Sequence, residues 1–136
     1  MCGPFPVPSY GNSLYYITLI DDATRVAWVQ FITQKCETLK IIKDYVAEME
    51  LQHHNTQKAF RTDNDGEYVT NNWTRFFESR GIIYEFTPLY SPELNGVAER
   101  QNRTIGEALR AMPESAVIYD KKLWAEAVLT SVYIKN

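Results

Sequence analysis

Two apolar runs separated by a short polar turn constrain this chain more than any other feature. Leu14-Tyr15-Tyr16-Ile17-Thr18-Leu19-Ile20 and Val26-Ala27-Trp28-Val29-Gln30-Phe31-Ile32 are rich in aromatic and branched side chains, and Asp21-Asp22-Ala23-Thr24 between them has turn chemistry. The spacing predicts an antiparallel hairpin. Pro4, Pro6 and Pro8 ahead of it cannot sit in a central strand, because proline donates no ladder hydrogen bond. The length of the runs excludes a membrane span. Leu14 to Ile20 is seven residues, with Thr18 inside it, far short of the ~20 that a membrane-spanning helix requires.

Downstream the apolar period changes. Leu39, Ile42, Val46 and Met49 recur at spacings of three and four, which predicts one apolar helix face over 37–52, with Lys40, Lys43 and Glu50 on the solvated side. Residues 58–62 form a short strand candidate, Trp73, Phe76 and Phe77 mark a second helix that Gly81 can terminate, and 82–86 is a further strand. Residues 87–96 contain two prolines, an asparagine and a glycine, so a loop is expected there, followed by a helix over 97–112 that Pro113 ends. A last helix over 123–134 aligns Trp124, Ala127, Val128 and Ser131 on one face. A hairpin followed by strand–helix alternation, without repeat or low-complexity linker, gives the α/β class and one domain.

Composition narrows function. With 136 residues, 45% apolar and 23% charged, the chain is globular in type. Its net charge of −3 makes it no general polyanion binder, so any nucleic-acid contact must use a local patch. The N-terminus lacks the basic and apolar regions of a secretory signal, and two cysteines make no disulfide framework, so a reducing, intracellular compartment is the default expectation. Cys2 and Cys36 read as packing residues. His53 and His54 lack a cysteine pair at zinc spacing and read as a solvated helix end. Asp63-Asn64-Asp65-Gly66 is not a calcium loop: with Gly66 sixth, such a loop would start at Arg61 and end at Asn72, neither a suitable ligand.

Two carboxylates stand in places suited to divalent cations. Asp63 directly follows a strand candidate and Glu99 opens a helix candidate, with 35 residues between them. Hard Mg²⁺ prefers such oxygen donors and keeps waters that a substrate can displace. The spacing alone decides nothing, since acids at turns and helix starts usually serve as solvated groups or caps.

Three segments supply the context. Thr62-Asp63-Asn64-Asp65-Gly66-Glu67-Tyr68, Tyr90-Ser91-Pro92 and Asn95-Gly96-Val97-Ala98-Glu99-Arg100-Gln101-Asn102-Arg103-Thr104 resemble the catalytic core of copia-type retrotransposon integrases. Ile20-Asp21-Asp22-Ala23-Thr24-Arg25 and Leu123-Trp124-Ala125-Glu126-Ala127-Val128 are similar to that family's second-strand end and late helix, so the resemblance spans the chain. It implies a ribonuclease H-like mixed five-stranded sheet flanked by helices, and one catalytic core domain over 1–136. It also implies a nuclear protein with a cytoplasmic particle stage, acting as a homo-oligomer on element ends and target DNA.

The implied activity is polynucleotidyl transfer: an Asp, Asp, Glu triad holds two Mg²⁺ or Mn²⁺ ions that activate the attacking oxygen and stabilise the leaving one. Asp63 matches the second triad position and Glu99 the third. The first lies in the family two residues ahead of Cys-Gly-Pro, here Cys2-Gly3-Pro4, so its match would directly precede Met1. The implied first, central strand is then largely missing, and the edges it would pair face a gap. Asp21 and Asp22 read as turn acids and not as replacements.

The resemblance further assigns DNA contact to Tyr90, Asn95, Arg100 and Arg103. Tyr90 and Asn95 are expected in the loop, for base stacking and hydrogen bonding; Arg103 is one helical turn beyond Glu99, where it can meet a phosphate or simply pair with Glu99. Asp65 stands where the family usually has Gly, adding negative charge beside the metal ligands. Gln101 stands where Lys is common, leaving Arg100, Arg103 and Arg110 against Glu107. Two other readings share this sequence: a non-catalytic remnant serving dimerisation or protein contact, and a hydrolytic nuclease of the same fold.

Overall fold

A computed structural model describes residues 1–53, 57–62, 71–86, 92–115 and 120–136. The chain divides into two compact units, Met1–Lys35 with Val97–Asn136, and Cys36–Gly96.

In the first unit the hairpin forms as the spacing predicts. Strands β1 (Tyr15–Ile20) and β2 (Ala27–Ile32) pair antiparallel from Tyr15 opposite Ile32 to Ile20 opposite Ala27. The turn is held by its own acids. Asp21 Oδ2 accepts the Thr24 N–H at 2.9 Å, and Asp22 pairs with Arg25. These contacts assign both carboxylates to the turn.

On the other edge of β1 the N-terminal segment pairs through one residue. Cys2 and Tyr16 exchange both main-chain bonds, Cys2 N–H to Tyr16 C=O at 2.9 Å and Tyr16 N–H to Cys2 C=O at 3.0 Å. Alternation then points the Thr18 and Ile20 peptide groups along the same edge beyond Cys2. Gly3 turns the chain away from that edge at φ 122°.

The core of this unit joins one face of the hairpin to two helices, α3 (Pro92–Ser115) and α4 (Trp124–Lys135), the latter preceded by a 3₁₀ turn at Lys121–Leu123. Tyr16, Ile105, Trp124 and Val128 lie at its centre, with Phe5 stacked on Trp124 at 4.1 Å. Burial, with the Cys2 side chain beside it, holds the Tyr16 phenol above its ordinary range. Asn136 ties the end of α4 to β2: its Oδ1 accepts the Ala27 N–H at 2.9 Å and its Nδ2 donates to the Ala27 carbonyl at 2.7 Å.

The second unit contains α1 (Thr38–His53), β3 (Ala59–Thr62), α2 (Asn71–Arg80) and β4 (Ile83–Phe86). β3 and β4 are parallel, Ala59 opposite Ile83 through Thr62 opposite Phe86, with α2 between them in sequence. A parallel pair needs such a crossover. Phe77 stacks on Phe60 at 4.9 Å and on Tyr84 at 4.6 Å, which packs the helix against both strands. α2 stops at Gly81, which takes φ 67° and lets the Ile82 N–H reach the Phe77 carbonyl at 2.9 Å. α1 buries Ile42 and Val46 as predicted; Glu50, expected in solvent, is half-buried and pairs with Arg80 of α2.

The described residues show four strands in two pairs, and among them only Cys2 stands beside β1, the place of the central strand that the resemblance leaves largely missing. Elsewhere the structure corrects several expectations. α3 starts at Pro92 and not at Val97, so part of the expected loop is helix. Proline is tolerated in a first turn, where its missing N–H would have no intrahelical partner. Pro113 lies inside the last turn of α3, where the loss is limited to one bond near an end already short of partners. Cys36 is exposed and not packed, because it falls in the 3₁₀ turn Lys35–Glu37, which buries no residue; Cys2 packs against the core.

Candidate functional site

Glu99 occupies an exposed position in α3, two turns beyond its start at Pro92. Helical geometry places residues three and four apart on one face, so Glu99, Asn102 and Arg103 share a side, while Gln101 turns away. The structure agrees with that division. Asn102 is half-buried against the hairpin, with its Oδ1 accepting the Thr18 hydroxyl at 3.2 Å. Ile105 behind it is fully buried in the core.

This contact fixes where along the hairpin Glu99 stands. Ile105 joins the cluster around Tyr16, Asn102 touches Thr18 two residues further along β1, and Glu99 is one helical turn beyond Asn102. α3 therefore carries Glu99 toward the Ile20 end of β1, the end at which the second edge has no partner among the described residues.

Arg100, Arg103 and Arg110 are exposed on α3, as are Glu99 and Glu107. Among the described residues no Glu99–Arg103 ion pair forms, which leaves both groups facing solvent. Thr104 Oγ1 donates to the Arg100 carbonyl at 3.0 Å, a contact internal to the helix. Asp63, Asp65 and Tyr90 lie outside the described residues. Asn95 falls within α3 and not in a loop, because the helix begins three residues earlier; its side chain is outside the described residues.

Gln101 has a different character from the one its sequence position suggests. It is 1% exposed, and among the described residues its Oε1 and Nε2 have no hydrogen-bond partner. The residue in the usual Lys position is thus interior in this chain and contributes nothing to the surface charge. A buried carboxamide without partners costs about 1–3 kcal/mol. Thr18 joins the site only through the fold. Asn102, three residues beyond Glu99, carries a signal in its helical spacing, but the Thr18 end of the contact requires the packing of α3 on β1.

Among the described residues no three His, Cys, Asp or Glu side chains converge as a metal site. Glu99 is a hard oxygen donor that is exposed and makes no ion pair there, which suits a divalent cation.

No protein-family model matches the chain. Curated relatives do. The retrovirus-related Pol polyprotein from transposon TNT 1-94 of Nicotiana tabacum is 38% identical over all 136 residues, which correspond to 10% of that protein. Those from transposons RE1 and RE2 of Arabidopsis thaliana are 30% and 28% identical over 131 residues, 96% of this chain and 9% of each relative. The chain thus spans about one tenth of the length of the relatives it matches. In structure it resembles a chain in a cryo-EM structure of the simian T-cell lymphotropic virus intasome in complex with PP2A regulatory subunit B56 gamma. The TM-score is 0.65 at 16% identity, covering 92% of this chain and 43% of that one, a likeness of fold. Identity along the whole sequence and the shared fold together place the chain, as a segment, in the family of copia-type retrovirus-related Pol polyproteins.

Proposed function

We propose that this chain is the catalytic-core segment of a copia-type integrase, a polynucleotidyl transferase that uses divalent metal to join element DNA to target DNA. Its sheet is completed by a strand on the open edge of β1. The observation that carries the reading is a register. Cys2 lies opposite Tyr16 in antiparallel pairing, so the residue opposite Thr18 is the one directly preceding Met1, the position at which the family's first triad Asp is expected. Opposite residues in an antiparallel pair lie on the same face, about 5.5 Å apart at Cα in a hydrogen-bonded pair. Thr18 in turn touches Asn102, one turn from Glu99. An Asp arriving at that position enters the neighbourhood of Glu99 on the hairpin face that α3 covers.

The work is divided among a few side chains. Glu99, with Asp63 and the incoming Asp, provides the carboxylates. Bound metal supplies charge neutralisation at phosphorus and lowers the pKa of the attacking hydroxyl or water. Arg100 and Arg103 neutralise DNA phosphates from the α3 surface, and Tyr90 and Asn95 contact the DNA end. The DNA partners and homo-oligomeric assembly belong to the same reading, supported in general by the intasome likeness, and a nuclear site of action is proposed with them.

The test extends the chain by eight to ten strand-forming residues that end in Asp directly before Met1. Pairing along the Thr18 and Ile20 edge should raise the melting temperature, and Mn²⁺-dependent nicking or joining of element-end oligonucleotides should appear. Asp63→Asn or Glu99→Gln should remove that activity and leave the melting temperature unlowered. An extended chain that folds cooperatively yet neither binds Mn²⁺ more tightly nor acts on DNA would favour the remnant reading. Nicking without joining would favour the nuclease.

A further inference from the structure

A cavity of about 180 Å³ lies in the first unit, at the far end of the helix that carries Glu99. Its walls are Phe5, Pro6 and Val7 of the N-terminal segment, Leu109 of α3, and Lys121 and Trp124 at the start of α4. Leu109 is ten residues beyond Glu99, about 15 Å along the helix axis at 1.5 Å per residue. The candidate carboxylate site and this cavity therefore share no residue.

The walls are pinned from several sides. The Phe5 ring stacks on Trp124 at 4.1 Å and 9°, and Trp124 Nε1–H donates to the Val7 carbonyl at 3.0 Å. Beyond the rim Tyr10 donates its hydroxyl to the Asp120 carboxylate, which also accepts the Lys122 N–H at 2.9 Å and so caps the 3₁₀ turn. Lys122 Nζ sits over the Tyr10 ring at 5.7 Å. A preformed cavity of this kind incurs little ordering cost when it is filled.

Its chemistry is apolar with one exception. Lys121 is exposed, and among the described residues it makes no ion pair. Asp120, the adjacent carboxylate, is already engaged by Tyr10 and the Lys122 N–H. An ammonium at the edge of an apolar chamber selects a ligand with an apolar body and a nearby anion. As to size, an apolar cavity of about 150 Å³ takes up benzene, so this one holds one branched aliphatic or aromatic side chain.

We propose that the cavity docks a partner polypeptide, which inserts one leucine- or phenylalanine-sized side chain and sets a neighbouring Asp or Glu carboxylate against Lys121. A nucleic acid fits less well. Base recognition of the sequence-tolerant kind uses open aromatic faces, and here Trp124 is 3% exposed with Phe5 stacked on it. The inference does not depend on the integrase reading, because it uses none of the proposed catalytic or DNA-contacting residues.

The experiment tracks the Trp124 indole and Leu109 methyl signals by NMR while the full 136-residue chain is titrated with three capped heptapeptides. These carry Leu-Glu, Leu-Lys or Gly-Glu at the centre of an otherwise Gly/Ser sequence. The Leu-Glu peptide should shift both signals saturably, and the other two should bind at least about tenfold more weakly. Lys121→Glu, a change at an exposed position, should reverse the preference toward the Leu-Lys peptide. Raised salt should weaken the wild-type interaction and provides the same charge test without a variant. Equal response to all three peptides, or no shift of the Trp124 indole with any, would overturn the proposal. Displacement of the Leu-Glu peptide by a single-stranded oligonucleotide would assign the cavity to nucleic acid instead.

Discussion

Thr18 on β1 donates its hydroxyl hydrogen to Asn102 Oδ1 on α3 across 3.2 Å, tying the hairpin to the helix turn next to Glu99. Both side chains are half-buried, so neither regains full hydration when the other is removed. Thr18→Val and Asn102→Leu should each lower stability by about 1 kcal/mol. The double variant should lose less than the sum, with a coupling of roughly 0.5–1.5 kcal/mol in urea unfolding. Strict additivity would show that the contact does not hold α3 on the hairpin.

Gln101 carries a cost without a visible return. Its buried carboxamide has no partner among the described residues, so Gln101→Leu should stabilise the protein by about 1–3 kcal/mol. Thermal unfolding measures it directly. A drop in melting temperature would reveal a polar partner for that amide.

The same substitution should act with opposite sign at two glycines. At Gly3, φ is 122° and an added Cβ would stand 2.6 Å from the Leu14 carbonyl oxygen, which also accepts the Phe5 N–H at 2.8 Å. Gly3→Ala should cost about 1–3 kcal/mol. At Gly106, inside α3, a Cβ meets nothing within 4 Å, so Gly106→Ala should gain up to about 1 kcal/mol through lower chain entropy in the unfolded state. Denaturant midpoints of the two variants should therefore move apart.

Tyr10 and Asp120 make a pH-bounded link. The Tyr10 hydroxyl holds the Asp120 carboxyl below its usual range, and the same bond, with the charge of Asp120, raises the Tyr10 phenol. A depressed Asp pKa contributes stability above the unfolded value near 4, lost as pH falls through the folded pKa; a raised Tyr pKa contributes below about 10, lost as pH rises through the folded pKa. The link between the N-terminal segment and the 3₁₀ turn should thus hold between those limits and fail outside them. Tyr10→Phe should return the Asp120 titration, monitored by carbonyl NMR, toward its ordinary range. An unchanged titration would assign the shift to the Lys122 N–H alone.

Metal affinity of the chain as it stands should be weak, because Asp63 and Glu99 are two carboxylates where the proposed site needs three. Calorimetric titration with Mn²⁺ should give a small signal that Glu99→Gln abolishes. Tight binding that survives both Asp63→Asn and Glu99→Gln would place the metal elsewhere.

Local structure was determined by the sequence itself. Two runs of aromatic and branched residues around Asp21–Thr24 were enough for β1 and β2, since strand alternation and turn chemistry are short-range effects. Phe76, Phe77 and Gly81 likewise placed α2 and its end. The motif segments carried the family resemblance, and identity along the chain to Pol polyproteins agrees with that family.

Tertiary packing decided the rest. Whether Pro92 opens a helix or sits in a loop depends on how the residues after it pack, because proline is compatible with both a turn and a first helical turn. The burial of Gln101 could not be read from a polar residue in a motif of charged ones; it results from which side of α3 meets the interior. The register that sets the position before Met1 opposite Thr18 comes from two main-chain bonds between Cys2 and Tyr16. Those bonds carry no side-chain signature, so only the folded chain could show them.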